Sequence, residues 1–291
     1  MRELSYERPD TLARAVTLLR ARGRNARLLA GGTDLIVGLR QGSQQPDLLI
    51  DVKAIPELSP AIGEEAGVLS ISAGTVLTDI ADDDNVHRYF PALAEAAGQV
   101  GAVQIRNRAT LAGNICNASP AADTAPPLLA YRAEVLAWGP AGQRRIPIGE
   151  FFAGPGRTTL TGGELVLGVE LPVPRQPCGS AFGRLSRRRG ADVATVSACA
   201  CVDAAGVTRF GYGAVGPRPL LVTDDSGVLA DPGADRVARA KALARLARLA
   251  SPISDVRASQ DYRASMLLLL SQRVLATAIS RRGRQEGNGH V

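Results

Sequence analysis

Apolar positions along the chain change period more than once, and the changes divide it. Residues 7–22 open with Pro9 and an Asp10 or Thr11 cap and then set Leu12, Ala15, Val16 and Leu19 at helical spacing, which predicts an amphipathic helix. Arg27–Ala30 reads as a short strand, Gly31–Asp34 as a glycine turn, and Leu35–Arg40 as a helix that keeps Leu35 and Leu39 on one face. Asp47–Val52 is a buried strand expected beside Arg27–Ala30, completing a small βαβ lobe. From Leu58 the pattern shifts: Val68–Ala73 alternates as a half-buried strand, Gly74–Thr78 turns, Asp79–Asn85 starts an acidic helix, and Tyr89–Val100 is a helix ending near Gly98. Ala133–Ala137 and Gln143–Pro147 form a hairpin, and Glu164–Leu171 is a long alternating strand.

Three prolines between Pro172 and Pro177 then interrupt the pattern, and the main domain boundary is placed there. Beyond it, strands are expected at Ala181–Leu185, Val193–Val202 and Arg209–Val215, with a basic turn Arg187–Arg189 between the first two and a break at Gly216. Helices Asp235–Ala250 and Ser259–Ser280 close this part, giving an antiparallel sheet with helices on one side. The fold class is α+β: a two-lobed domain over 1–175, with lobes of about 1–57 and 58–175, then a C-terminal domain over 176–285. The polar run Arg281–Val291 is expected to be disordered, with 286–291 outside the domains.

Composition narrows the function. At 291 residues, 45% hydrophobic and 21% charged, the chain can bury two or three lobes. The longest apolar run, near Met266–Leu270, is too short to span a membrane, and the N-terminus lacks a signal-like apolar core, so a cytoplasmic protein is expected. A net charge of +6 raises nucleic acid as a partner. Scattered arginines and only 4% aromatic residues argue against it. The basic segment Asp235–Ala250 reads as a solvated helix face, with an acidic-partner docking face as the lesser alternative. Cys116, Cys178, Cys199 and Cys201 form no C-x-x-C pair, and only two histidines are present. They are read as reduced packing residues, and no metal or iron–sulfur site is expected in this chain.

Two stretches carry candidate chemistry. Thr110–Ala130 sets Ala112 and Gly113, the carboxamides of Asn114 and Asn117, the Ser119 hydroxyl and the Asp123 carboxylate between apolar ends, before Pro126 and Pro127 open a helical turn. Main chain at Gly113 and short polar groups suit a large polar ligand, while the bland alternative is a polar loop between strand and helix. The Gly31–Asp34 turn offers free N–H groups and a helix N-terminus to an anion, or is a plain capped turn. It is neither a G-x-G-x-x-G nor a Walker loop. Arg106 and Arg108 are placed either to neutralise a phosphate or on the surface.

Together these marks resemble the FAD-binding medium subunit of the molybdenum hydroxylases, the group of xanthine dehydrogenase and bacterial carbon monoxide dehydrogenase. L-L-A-G-G-T-D-L-I at 28–36 is similar to that family's first flavin motif and T-L-A-G-N-I-C-N-A-S-P-A-A-D at 110–123 to its second. F-F-A-G-P-G-R-T at 151–158, R-R-R-G-A-D-V-A at 187–194, G-A-V-G-P-R-P at 213–219 and S-D-V-R-A-S-Q-D-Y-R at 254–263 agree in order, over nearly the whole chain. The resemblance implies that Leu28, Leu29, Ala30, Gly31, Gly32, Thr33, Asp34 and Leu35 wrap the FAD diphosphate. It implies a second wall of Thr110, Leu111, Ala112, Gly113 and Asn114, with Ser119 toward the flavin, Asp123 near the ribose or diphosphate, and Val166 and Arg184 at two further contacts. Arg184 departs from the lysine common there, and Gly183 is the alternative alignment. No catalytic acid or base is implied, and Cys116 near the ring system is read as packing.

The implied activity is electron transfer. Partners carry two [2Fe–2S] clusters in a small subunit and the molybdenum cofactor in a large one, and FAD hands electrons to NAD, a quinone, oxygen or another carrier, in a dimer of heterotrimers. The alternative is a noncatalytic nucleotide-binding or assembly subunit.

Overall fold

The computed structural model describes residues 4–188 and 190–288. Three larger sheets organise them, with a two-stranded pair, Phe152–Gly154 and Arg157–Thr158, in addition. The first is a three-stranded parallel sheet ordered Ser5–Glu7, Leu48–Asp51, Ala26–Leu29. Helix Leu12–Arg22, capped by the Thr11 hydroxyl accepting the Arg14 N–H, returns the chain from the first strand to Ala26–Leu29. Helix Leu35–Arg40 returns it to Leu48–Asp51. The expected βαβ lobe is present, with Ser5–Glu7 as an added edge strand.

The second sheet is antiparallel and five-stranded, ordered Ile62–Glu65, Val68–Ser72, Leu165–Pro172, Glu134–Gly139, Gly142–Pro147. The hairpin and the long strand fall where the alternation put them. Between Val68–Ser72 and Glu134–Gly139 lie six short helices, and here the sequence reading needs correcting. The acidic start and the following helix are divided into Leu77–Asp82, Asp84–Tyr89 and Pro91–Gln99, because Asp83 leaves the helical conformation to cap Val86 and Pro91 starts the next helix. Thr110–Asp123 is not a loop throughout: Thr110 accepts the Gly113 N–H at 3.0 Å and starts helix Leu111–Cys116.

The third sheet is an antiparallel meander of Gly179–Leu185, Val196–Val202, Thr208–Gly213 and Leu220–Asp224. The two expected helices pack on one side of this sheet, and a helix from the earlier part of the chain covers the other. Gln260–Asn288 packs along the first two strands on one face and Arg236–Ala247 joins it, while helix Ala125–Ala130 presses on the other. All seven residues of Val196–Val202 are therefore buried, with Val196, Ala198, Ala200 and Val202 toward the long helix and Cys199 and Cys201 toward the rest of the molecule. The long helix runs through Arg281 to Asn288, which overturns the expected disorder over that span; residues 289–291 lie outside the described ones. Arg281 is held by the Ser180 carbonyl at 2.7 Å and by Glu95. No described helix is long and apolar enough to cross a membrane.

Helix Ala125–Ala130 meets the third sheet backbone to backbone at one point. Every residue of helix Ala125–Ala130 is buried, with Pro126 and Pro127 in its first turn, and a Cβ at Gly211 would stand 1.9 Å from the Pro126 carbonyl oxygen. Tyr131, at the end of that helix, accepts the Ala92 N–H at 3.2 Å and shares a hydrogen bond with Ser180. Tyr131→Phe keeps the ring and strands both partners, so thermal unfolding of the purified chain should show a loss of about 1–3 kcal/mol.

Candidate functional site

The two glycine-containing stretches meet backbone to backbone. A Cβ at Gly31 would lie 1.9 Å from the Arg108 carbonyl oxygen and 3.0 Å from the Ala109 Cα, so only glycine lets the Ala30–Leu35 turn rest against the chain entering Thr110. That second chain is itself fixed, since the Leu77 N–H donates to Ala109 O at 2.8 Å and Thr110 bridges Val76. Across the junction the Asn117 amide donates to Asp34 Oδ2 at 3.2 Å. The structure thus sets the turn at 31–34 directly against the segment 108–117.

Within the turn, Ile36 N–H donates to Gly32 O and Gly38 N–H to Asp34 O, which begins the helix. No acceptor among the described residues meets the N–H groups of Gly32, Thr33, Asp34 or Leu35, and Asp34 caps nothing with its side chain. Four successive backbone donors without protein acceptors form a cradle for an anionic or oxygen-rich group. The following helix is only six residues long, so the donors themselves matter more than its dipole. Lys53, which sequence reasoning missed, stands at the edge, 3.4 Å from Ala30 O and 2.7 Å from Asp51. Its signal was its place two residues past a parallel strand that borders the glycine turn.

The far end of the second stretch is built differently. Asp123 is 7% exposed and pairs with Arg184 at 2.7 Å, whose side chain is equally buried. Arg184 also donates to the carbonyls of Asp192 and Gly190, both at 3.3 Å. One Asp123 oxygen, Oδ1, is buried with no partner. Burial pushes Asp123 up to about 6 against the opposing pull of Arg184. An unpartnered carboxylate oxygen beside a guanidinium is an acceptor for a ligand hydroxyl.

Other expected site residues fall into place unevenly. Asn114 accepts the Thr124 hydroxyl at 2.6 Å, and Ser119 Oγ accepts the Ala121 N–H, leaving its proton free to donate. Leu111 and Ala112 are buried behind the Gly113 backbone. Val166 is buried in the second sheet beside a register shift, so only its main chain can reach a ligand. Arg106 donates to Val100 O and lines, with Arg184, Arg187 and Arg188, an open cleft of about 650 Å³. Arg108 contributes its carbonyl to the Gly31 contact. Arg189 of the basic turn lies outside the described residues. Cys116 is exposed.

Known proteins resemble this chain over nearly its whole length. Residues 2–174 match the model of the FAD binding domain in molybdopterin dehydrogenase, and 181–278 match the CO dehydrogenase flavoprotein C-terminal domain. The chain is an FAD-binding subunit of the molybdopterin dehydrogenase family. This FAD-binding subunit is 31% identical over 284 residues to the xanthine dehydrogenase FAD-binding subunit of Escherichia coli O157:H7, covering 96% of this chain and 97% of the relative. It is 32% identical over 281 residues to the carbon monoxide dehydrogenase medium chain of Hydrogenophaga pseudoflava, covering 95% and 97%. Among solved structures, carbon monoxide dehydrogenase from the same organism, in a form lacking the Mo-pyranopterin moiety, superposes with a TM-score of 0.87 at 30% identity over 96% of this chain and 98% of that one. The relatives are oxidoreductase subunits, and the α+β fold of this FAD-binding subunit is theirs.

Proposed function

We propose that this chain is the electron-transfer subunit of a molybdenum hydroxylase. It takes electrons from [2Fe–2S] clusters of a small partner subunit, fed by a molybdenum-bearing large subunit, and delivers them through FAD to an external acceptor. The acceptor class is NAD, a quinone, oxygen or another carrier, and the assembly is a dimer of heterotrimers in the cytoplasm. The proline run at 172–177 divides a flavin-holding part, 1–175, from a C-terminal lobe, 176–285, that supplies Arg184. The extents of the two family matches support that division.

The observation that carries the reading is the cradle of unpartnered N–H groups at Gly32–Leu35, pressed against the segment entering Thr110. In this reading those four groups donate to the diphosphate, with Leu28, Leu29, Ala30 and Gly31 shaping the wall behind them. Thr110–Asn114 is the opposite wall, where Gly113 presents bare main chain. Asp123 Oδ1 accepts from a ribose hydroxyl while Arg184 holds the other oxygen, Ser119 donates, and Val166 contributes main chain alone. Bound FAD supplies the redox chemistry, and the protein supplies position, shielding and charge.

The chain's own visible spectrum tests this. The purified protein, alone or reconstituted with partner subunits, is expected to release FAD in near-equimolar amount on acid treatment. A colourless chain that stays so in the complex with FAD supplied defeats the assignment. Gly113→Val is the discriminating variant. A Cβ there meets only the Thr110 hydroxyl, at 3.0 Å, so the fold should keep its circular dichroism while flavin content falls at least about tenfold. Full occupancy in that variant removes Gly113 from the site.

A further inference from the structure

We propose that Cys178 and Cys201 are a redox modification site, closing to a reversible disulfide when hydrogen peroxide reaches them. The two sulfurs lie 3.1 Å apart, and the bond needs about 1 Å of further approach. Cys178 is the residue at which the proline-rich connection enters the third sheet, its N–H held by Gln285 Oε1 at 3.0 Å. Cys201 belongs to the neighbouring strand, where Ser180 is its direct partner, so Cys178 reaches it diagonally.

The surroundings divide the roles. Cys178 is 7% exposed and lines an open cleft of about 270 Å³ together with His87, Arg88, Pro91, Arg284 and Gln285. Cys201 is 1% exposed and has the Arg209 guanidinium 3.7 Å from its sulfur. Arg209 is pinned there by Asp203 and by the Ala130 carbonyl, each at 2.9 Å. The Cys178 thiol and then that guanidinium pull Cys201 below the ordinary thiol range, whereas the hydrogen bond to Cys201 and burial push Cys178 up. Of the two thiols, Cys201 is therefore the one that gives up its proton more readily. Cys199, on the same strand face, is fully buried and raised by desolvation, and exposed Cys116 has no sulfur beside it among the described residues.

Chemistry follows from this division. Cys201, once its own proton is lost to solvent, takes the Cys178 proton as the Cys178 sulfur attacks peroxide at the cleft; the O–O bond breaks, and the departing hydroxide takes that proton from Cys201 and leaves as water. Cys178 is then a sulfenic acid. The Cys201 thiolate attacks that sulfur, the S–S bond forms, the S–O bond breaks, and the departing hydroxide takes a proton from solvent and leaves as a second water. Two thiols and one peroxide give one disulfide and two waters. The product ties the interdomain connection to the C-terminal sheet.

The full chain, treated with hydrogen peroxide under conditions that preserve its near-ultraviolet circular dichroism, is denatured in alkylating agent, digested and sequenced by tandem mass spectrometry. Expected is joint loss of alkylation at Cys178 and Cys201, appearance of a linked peptide pair two hydrogens lighter, and full recovery with dithiothreitol. Cys201→Ser should leave Cys178 as a sulfenic acid that a dimedone probe traps. Complete alkylation of Cys178 and Cys201 while Cys116 alone oxidises overturns the proposal, as does a bridge to Cys199 or an oxyacid at Cys178 with no bridge in the parent chain.

Discussion

Gly31→Ala is expected to purify without flavin and to melt well below the parent chain. The new Cβ would sit 1.9 Å from Arg108 O and 2.7 Å from its carbonyl carbon, both backbone atoms, so no side-chain rotation relieves it. The Arg108–Thr110 segment cannot retreat easily, because Ala109 donates to Ile105 O at 2.7 Å and accepts from Leu77 at 2.8 Å. The glycine turn must move instead, at about 1–3 kcal/mol or more for overpacking, and its donors leave the second wall. Gly32→Ala provides the comparison. Its φ of +76° costs a side chain about 1–2 kcal/mol, but the nearest obstacle is the mobile end of Leu29, at 2.9 Å. Scanning calorimetry with flavin content on both variants should rank Gly31 above Gly32 in both losses. Equal flavin content in Gly31→Ala and parent would mean that the junction is not part of the site.

Arg184→Met is expected to lower stability at neutral pH by about 3–5 kcal/mol and to change how stability depends on pH. It leaves a carboxylate 7% exposed with neither oxygen paired. The sign follows from the parent. Asp123 titrates near 6 in the fold against about 3.9 unfolded, so the folded state holds the proton more tightly. Its contribution to stability is fully present below about pH 4 and is lost as pH rises through 6, roughly 3 kcal/mol in all at about 1.36 kcal/mol per unit. Removing the guanidinium raises Asp123 further and carries the upper end of that window above 6. Melting temperatures of flavin-free protein between pH 5 and 8 should show the shift, and Asp123→Asn should lack this component. A hydroxyl donated to Oδ1 favours the charged form, so under the proposed assignment FAD binding releases a proton near pH 6 and tightens as pH rises.

Much of this architecture is legible in local pattern. The Thr11 cap, the glycine turn, the hairpin around Gly139–Gly142 and the alternation of Leu165–Pro172 are decided by residues close in sequence. What local pattern misses is decided elsewhere in the chain. Ser5–Glu7 is exposed throughout and becomes a strand only by pairing with Leu48–Asp51. Leu111–Cys116 is short, with Gly113 and Asn114 in its middle, and rests on a cap and on packing against Leu165–Pro172. Past Ser280 the polar sequence offers no helix signal, yet Arg281 and Arg282 find acceptors at Ser180, Asp203 and Ala230. Both glycine stretches were visible as candidates, Asp123 as part of the second, and Arg184 as a separate contact through the resemblance. Their pairing, the Gly31–Arg108 contact and the position of Lys53 required the fold.

The contact at Gly211 bears on how freely such a chain can diverge. The spacing between helix Ala125–Ala130 and the C-terminal sheet is set there by main chain meeting main chain. Side chains around it can therefore be exchanged without resizing the gap, and the separation of Asp123, just before the helix, from Arg184, on the sheet, is buffered against ordinary drift. A molecule gauged in this way can alter most of its core composition and still return the same two charges to the same distance.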